Sequence, residues 1–262
     1  MNYEKIALEV ESIAREAATF IRQKAGNIRE SDVEYKGLHN YVTAVDKGSE
    51  ELIVNRLSVL IPEAGFLAEE GTEAQGSSNL RWIIDPLDGT TNFIHGIPLY
   101  SISIALMQGD DIVVGSVYEV NHQESFLAWK EGPALLNHQP IRVSRRNDMH
   151  ESLLATGFPY YDYNQLDPYL QLFRSFLKNT RGLRRLGSAA LDLAWVACGR
   201  FDGFYEYGLN PWDVAAGAFL VERAGGYNTD FKGGNDYIFG KQILSSNSII
   251  HDALLSEIKS FF

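Results

Sequence analysis

The sequence predicts a mixed α/β chain, of the α+β or α/β class, on three observations. Apolar residues recur at helical spacing in the first sixty residues, residues 101–130 read as a meander of antiparallel strands, and short strands alternate with helices after residue 146. Ile6, Val10, Ile13, Ala17, Phe20 and Ile21 form one apolar stripe opposite a charged face, the pattern of a long packing helix. A turn-like stretch around Lys36 to Asn40 leads into the extended run Tyr41 to Val45. Asp46 to Leu60 then returns to helical spacing through Leu52, Ile53, Leu57 and Leu60 until Pro62 stops it. Gly65 to Ala68 and Trp82 to Ile84 read as short strands, each ending in acidic residues. Ser101 to Lys130 carries β-branched and aromatic runs broken by Gly-Asp-Asp and Asn-His-Gln turns. Beyond the basic run Arg142, Arg145 and Arg146, strands at Leu153 to Ala155, Asp202 to Tyr205 and Gln242 to Leu244 alternate with helices at Pro168 to Leu177, Ser188 to Cys198, Trp212 to Ala224 and Ile249 to Phe261. No Pro-, Gly- or Ser-rich linker and no repeat divides the chain. Residues 1–262 therefore read as one unit, with halves 1–145 and 146–262 sharing a tight interface.

Composition narrows the function. Hydrophobic residues make up 45% of the 262 and charged residues 22%, the usage of a soluble globular protein. The net charge of −11 repels phosphate backbones and anionic lipid, which disfavours nucleic acid as a general partner. The run Arg142 to Arg146 reads as a surface loop rather than a footprint for RNA or a transcription complex. No stretch approaches the ~18 apolar residues of a membrane-spanning helix, and the N-terminus is amphipathic and acidic where a signal peptide is basic and then apolar. The lone Cys198, in an apolar helical run, reads as core filler in a reducing compartment; the expectation is a cytoplasmic protein. Phosphate-loop, dinucleotide, zinc-protease and serine-hydrolase motifs are absent, and the six histidines show no ligand spacing.

What remains is carboxylates. In RWIIDPLDGTTNF the strand Trp82 to Ile84 delivers Asp85 at its end, Pro86 blocks the ladder, and Asp88 follows one tight turn later. Two carboxylates converging on one point repel, which raises a proton affinity or calls for a cation, and hard oxygen ligands suit Mg²⁺. Gly89, Thr90, Thr91 and Asn92 stand at a possible helix start, whose free N–H groups fit an anion. A metal pair beside a phosphate cradle is what metal-assisted phosphoryl hydrolysis requires. The segment Asp85 to Gly89 is equally a plain Asp-Pro-x-Asp-Gly turn. Glu69 and Glu70 fit a solvated strand edge or a metal site. Capping explains Asp213, behind Asn210 and Pro211, and Asp46 as the N-cap of its helix; Glu206 fits a surface acid.

The combination decides among these. Ala68-Glu69-Glu70-Gly71, the segment from Trp82 to Phe93, Gly187-Ser188-Ala189-Ala190, and Pro211-Trp212-Asp213 followed by Ala224-Gly225-Gly226 resemble the inositol monophosphatase family, in the family's order and over nearly the whole chain. The resemblance implies a layered αβαβα sandwich, a homodimer, lithium sensitivity and Mg²⁺-dependent hydrolysis of a small phosphate ester. It implies one Mg²⁺ on Glu69, Asp85 and the Leu87 carbonyl and a second on Asp85, Asp88 and Asp213, with a third left open. It further implies that Asp46 and Thr90 activate the attacking water, that Gly89, Thr90 and Thr91 hold the phosphate, that Glu206 accepts substrate hydroxyls, and that Gly187, Ser188 and Ala189 form a pocket wall. Asn210-Pro211 stands where animal members commonly carry His-Cys, and TGFPYYDY around Gly157 resembles bacterial members. The substrate expected is inositol monophosphate or a similar polyol phosphate. The alternatives are a 3′(2′),5′-bisphosphate nucleotide, histidinol phosphate and fructose 1,6-bisphosphate; a bisphosphate would draw on Arg181, Arg184 and Arg185.

Overall fold

The computed structural model describes residues 1–26, 33–37, 40–159 and 163–262. Part of the turn expected at Lys36 to Asn40, and Tyr160, Tyr161 and Asp162 of TGFPYYDY, lie outside the described residues. In chain order the elements are α1 (Tyr3–Lys24), β1 (Val33–Gly37), β2 (Asn40–Thr43), α2 (Ala44–Leu60), β3 (Gly65–Ala68), β4 (Glu73–Ala74), β5 (Leu80–Asp88), α3 (Thr90–Ile94), β6 (Ser101–Gln108), β7 (Asp111–Glu119) and β8 (Glu124–Trp129). They continue with β9 (Leu135–Leu136), β10 (Gln139–Pro140), β11 (Leu153–Thr156), α4 (Leu166–Asn179), β12 (Gly182–Arg184), α5 (Ala189–Ala197), β13 (Gly203–Tyr207), α6 (Pro211–Arg223), β14 (Tyr227–Thr229), β15 (Gln242–Ser246) and α7 (His251–Ile258).

One sheet runs β10-β9-β8-β7-β6-β5-β3-β4, with β3 and β5 parallel; the other runs β12-β11-β13-β15-β14, with β12, β11 and β13 parallel. Side chains alternate across each strand, and both faces of both sheets are apolar, so every face needs a cover. Trp82, Ile84, Ile104 and Leu106 face a core shared with α1 and α2, whereas Ile83, Ala105 and Met107 face α5 and α6. Ala155, Phe204 and Ile243 of the second sheet meet α5 and α6 from the other side, and Leu154, Tyr205 and Leu244 turn outward to α4 and α7. The result is the α-β-α-β-α stack that the family resemblance implied.

The middle layer is buried on two sides, and its sequence shows it: α5 and α6 are rich in alanine, and nearly every residue of α5 is buried. Small residues let the helices approach. A Cβ at Gly217 would lie 2.6 Å from Leu193 Cβ, and one at Gly115 of β7 would lie 2.9 Å from the Ala216 carbonyl. Cys198 caps α5 half-buried, and burial pushes its thiol up, which makes it packing rather than a nucleophile.

Two local readings are corrected. Asp46 is not the N-cap of its helix: Thr43 is, and Asp46 at the third helical position completes a capping box, so the helix starts at Ala44, inside the run expected to be extended. Pro86 does not end its strand either, because β5 continues to Asp88 through a bulge. From the packing of α6 on β7 we expect Gly115→Val to cost about 1–3 kcal/mol in urea unfolding, since a branched side chain there meets helix backbone. An unchanged midpoint would show that α6 can slide away from the sheet.

Candidate active site

The bulge in β5 is what gathers the acids. Asp85 pairs with Ser103 and Asp88 with Ser101, so three residues on β5 span two on β6. Without the extra residue, positions three apart would point to opposite faces; with it, Asp85 and Asp88 share the face toward α5 and α6. The Leu87 N–H donates to Asp85 Oδ1 at 2.9 Å, and Ser49 Oγ donates to the Pro86 carbonyl at 3.0 Å, which hold the bulge.

Glu69 arrives from β3, whose parallel pairing sets Ala68 beside Ile84 and lets the Glu69 N–H donate to the Ile84 carbonyl. Its loop is clamped by Glu50 of α2. That buried carboxylate accepts from the N–H groups of Glu70 (2.7 Å) and Thr72 (3.0 Å) and from Thr72 Oγ1 (2.6 Å). Asp46 is buried behind the turn from Gly89 to Thr91. It accepts from Thr90 Oγ1 at 2.9 Å and from the Thr43 N–H and hydroxyl at 2.8 and 2.5 Å. Gly89, in the left-handed region at φ 100°, turns β5 into the five-residue α3, where Thr90 and Thr91 take up the first positions.

The middle helical layer supplies the other wall. Ser188, the N-cap of α5, donates to Asp88 Oδ2 at 2.7 Å, and the Ala190 N–H reaches the same oxygen at 2.8 Å. Asp213 accepts from the Asn210 N–H at 2.7 Å through the capping box of α6. Capping and placement are thus one device, since a bond to one carboxylate oxygen orients the other. Asn92 ties the two walls together by donating to the carbonyls of Leu99 and Leu186 at 2.7 and 2.8 Å.

One pocket is lined by Glu69, Asp85, Leu87, Asp88 and Asp213, by Gly89, Thr90 and Thr91, and by Gly187, Ser188, Ala189 and Glu206. Of the residues expected at the site, only Asp46 is not in the wall; it stands behind Thr90. Burial drives the electrostatics. It holds the Glu69 and Asp85 carboxyls well above the usual carboxylate range, and the neighbouring acids add to the effect: Asp213 and Glu70 on Glu69, and Glu69, Asp88 and Asp213 on Asp85. Burial raises Asp88 to about 6 against the pull of its Ser188 and Ala190 bonds, and raises Asp213 to about 7, with Asp88 contributing. Among the described residues, no three His, Cys, Asp or Glu side chains form a ready-made metal cluster. The chemistry of this donor set nevertheless fits a hard divalent cation: carboxylate oxygens with one backbone carbonyl at hand, no thiolate or imidazole, and mutual repulsion that a cation relieves.

The sequence reading gave no role to several contributors. Asp192, one helical turn after Ser188, lines the pocket fully buried, and its Oδ1 has no hydrogen-bond partner. Its spacing from Ser188 in GSAALD was the available signal. Phe158 lines the mouth with Arg185 stacked 5.3 Å from its ring centroid; Gly157 and Glu50 complete the set. Burial raises both Glu206 and Asp192, and Arg185 opposes the rise in each.

The family model described as inositol monophosphatase family matches residues 2–261. The chain belongs to the inositol monophosphatase family. It is 40% identical to an inositol-1-monophosphatase of Mesorhizobium japonicum over 94% of this chain and 93% of that one. To the Nus factor SuhB of Pseudomonas aeruginosa it is 41% identical, over 94% and 93%. The crystal structure of extragenic suppressor protein suhB from Bartonella henselae superposes with a TM-score of 0.94 at 39% identity, covering 98% of this chain and all of that one. An inositol monophosphatase structure from Anabaena gives 0.88 at 35%, covering 100% and 98%. Membership of this family supports phosphatase activity.

The raised carboxyls set a direction for stability. In protein dialysed against EDTA, Asp88 and Asp213 bind protons more tightly folded than unfolded, so stability is greatest below about pH 4 for these groups and is lost as pH rises through 6 to 7. Melting scans between pH 5 and 8 should show that fall, and Mg²⁺ should flatten it. A melting temperature that rises with pH across this window in EDTA would contradict the assignment.

Proposed function

We propose that this chain is a Mg²⁺-dependent phosphomonoesterase acting on inositol monophosphate or a similar small polyol phosphate. The observation that carries the reading is the single pocket in which Glu69, Asp85, Asp88 and Asp213 face Gly89, Thr90 and Thr91, with Asp46 bonded to Thr90 from behind. In this reading Glu69, Asp85 and the Leu87 carbonyl would hold one Mg²⁺, and Asp85, Asp88 and Asp213 would hold a second. Bound there, the cations supply charge neutralisation and water activation.

The chain's own groups do the rest. N–H groups of Gly89, Thr90 and Thr91 hold phosphate oxygens and align phosphorus so that, as the water oxygen bonds to it, the opposite bond to the ester oxygen breaks and the leaving alkoxide takes a proton from solvent. The Thr90 hydroxyl donates to Asp46, which leaves its lone pairs to accept a proton from the attacking water. Burial raises the Asp46 carboxyl, so it is the better base to take up the Thr90 proton in turn. Uncatalysed phosphate-monoester hydrolysis is so slow that the assembly must lower the barrier by on the order of 20 kcal/mol.

The far wall favours a neutral polyol. Of Arg181, Arg184 and Arg185 only Arg185 lines the pocket, where it faces the buried acids Glu206 and Asp192. A second phosphate, as in a nucleotide or fructose bisphosphate, would meet more acid than base. Histidinol phosphate, whose leaving group carries an ammonium, is the competitor to include in a substrate panel. A role in transcription, as the names of some relatives suggest, would look to the run Arg142 to Arg146. There Arg142, Arg145 and Arg146 are all exposed, and Arg146 is paired with Asp202 at 3.2 Å.

Asp85→Asn, Asp88→Asn and Asp213→Asn should each abolish Mg²⁺-dependent release of phosphate while circular dichroism stays native. Asp46→Asn should lower kcat about a hundredfold or more with little change in KM. Turnover near wild type at saturating Mg²⁺ in any of the first three would end the two-metal assignment.

A further inference from the structure

In TGFPYYDY the proposed chemistry gives Gly157 no task. We infer that Gly157 is a positioning residue for Glu206: by having no side chain it leaves the space in which the Glu206 carboxylate lies to accept substrate hydroxyls, and so it sets preference for a polyol leaving group. The inference deepens the reading above and rests on it.

The register brings the two residues together. β11 and β13 run parallel with Thr156 beside Tyr205, so the next step places Gly157 beside Glu206 at the ends of both strands. Glu206 shares the face of Phe204, toward the middle helices, and both Gly157 and Glu206 line the pocket. A Cβ built on Gly157 would fall 2.0 Å from Cδ, Oε1 and Oε2 of Glu206 alike, which means the carboxylate lies flat where that atom would be. Nothing in the backbone demands glycine here, because Gly157 is not among the residues at positive φ. Space is therefore the reason for it.

The backbone at Gly157 cannot simply retreat. Its carbonyl accepts from the Tyr169 hydroxyl, and the Thr156 hydroxyl donates to the Tyr205 carbonyl at 2.7 Å, which locks β11 to β13 at this point. Tyr169 is fully buried among the aromatic side chains of the outer core. The movable party is the end of the Glu206 side chain. An added methyl group displaces the carboxylate and leaves the fold in place.

The test compares kcat/KM for inositol monophosphate with that for p-nitrophenyl phosphate, whose leaving group offers no aliphatic hydroxyls. Gly157→Ala should lower the ratio about tenfold or more, the worth of one charged hydrogen bond, with a native circular dichroism spectrum. Added to Glu206→Ala, it should lower the ratio less than about twofold further, because the carboxylate it acts on is gone. A ratio unchanged by Gly157→Ala, or an equal further fall in the Glu206→Ala background, would overturn the inference. Should Gly157→Ala fail to fold, the double variant must fold, and its failure to do so would count against the inference equally. A wild-type protein with no preference for inositol monophosphate would overturn the polyol reading, and this inference with it. Retained preference in both wild type and Gly157→Ala would overturn this inference alone.

Discussion

Glu69, Asp85, Asp88 and Asp213 line one pocket, and burial raises the proton affinity of every one of them. Charges of one sign removed from water in one place oppose folding unless a proton or a cation joins them. The surrounding structure depends on tolerating that conflict. Two rigid sheets and a doubly covered helical layer hold the acids where packing, not their own preference, puts them. The suhB structure from Bartonella henselae superposes on this frame over its full length. In the reading proposed here the conflict is the source of metal affinity.

Each carboxylate is oriented by a device that also serves the fold. The bulge in β5 changes the parity of the strand and turns Asp88 to the same side as Asp85. Two capping boxes place Asp46 and Asp213 at the third positions of α2 and α6, where the acid stabilises the helix start. Ser188 starts α5 and grips Asp88 with the same hydroxyl. Because site and scaffold share these bonds, a variant that disturbs one tends to disturb the other, and conservative Asp→Asn changes separate the two best.

The sequence was most legible where chemistry is local. Helical spacing along α1, alternation through β6 to β8 and the acids closing β3 and β5 are properties of adjacent residues, and the structure has them within a few positions. The segment from Trp82 to Phe93 is local too, yet it was misread in one respect: Pro86 looks like a strand end, and only pairing with Ser101 and Ser103 reveals a bulge. Thr43 likewise takes the cap position from Asp46 because its hydroxyl oxygen accepts from the Val45 N–H, while Asp46 accepts from the Thr43 N–H and hydroxyl. What was illegible is long-range. Gly157 touches Glu206 across a parallel pair of strands, and Glu50 clamps a turn twenty residues away. No spacing rule encodes such contacts, since they exist only once the sheets have formed.

The central claim, that divalent cations resolve the repulsion among these buried acids, is tested most directly by titrating Mg²⁺ into the protein by calorimetry at pH 6 in buffers of different ionisation enthalpy. Cations entering a set of raised carboxyls must displace protons, so about one proton or more should be released per protein at pH 6, and fewer as pH rises past 7. Absence of Mg²⁺ binding, or a binding enthalpy identical in every buffer at pH 6, would contradict the account.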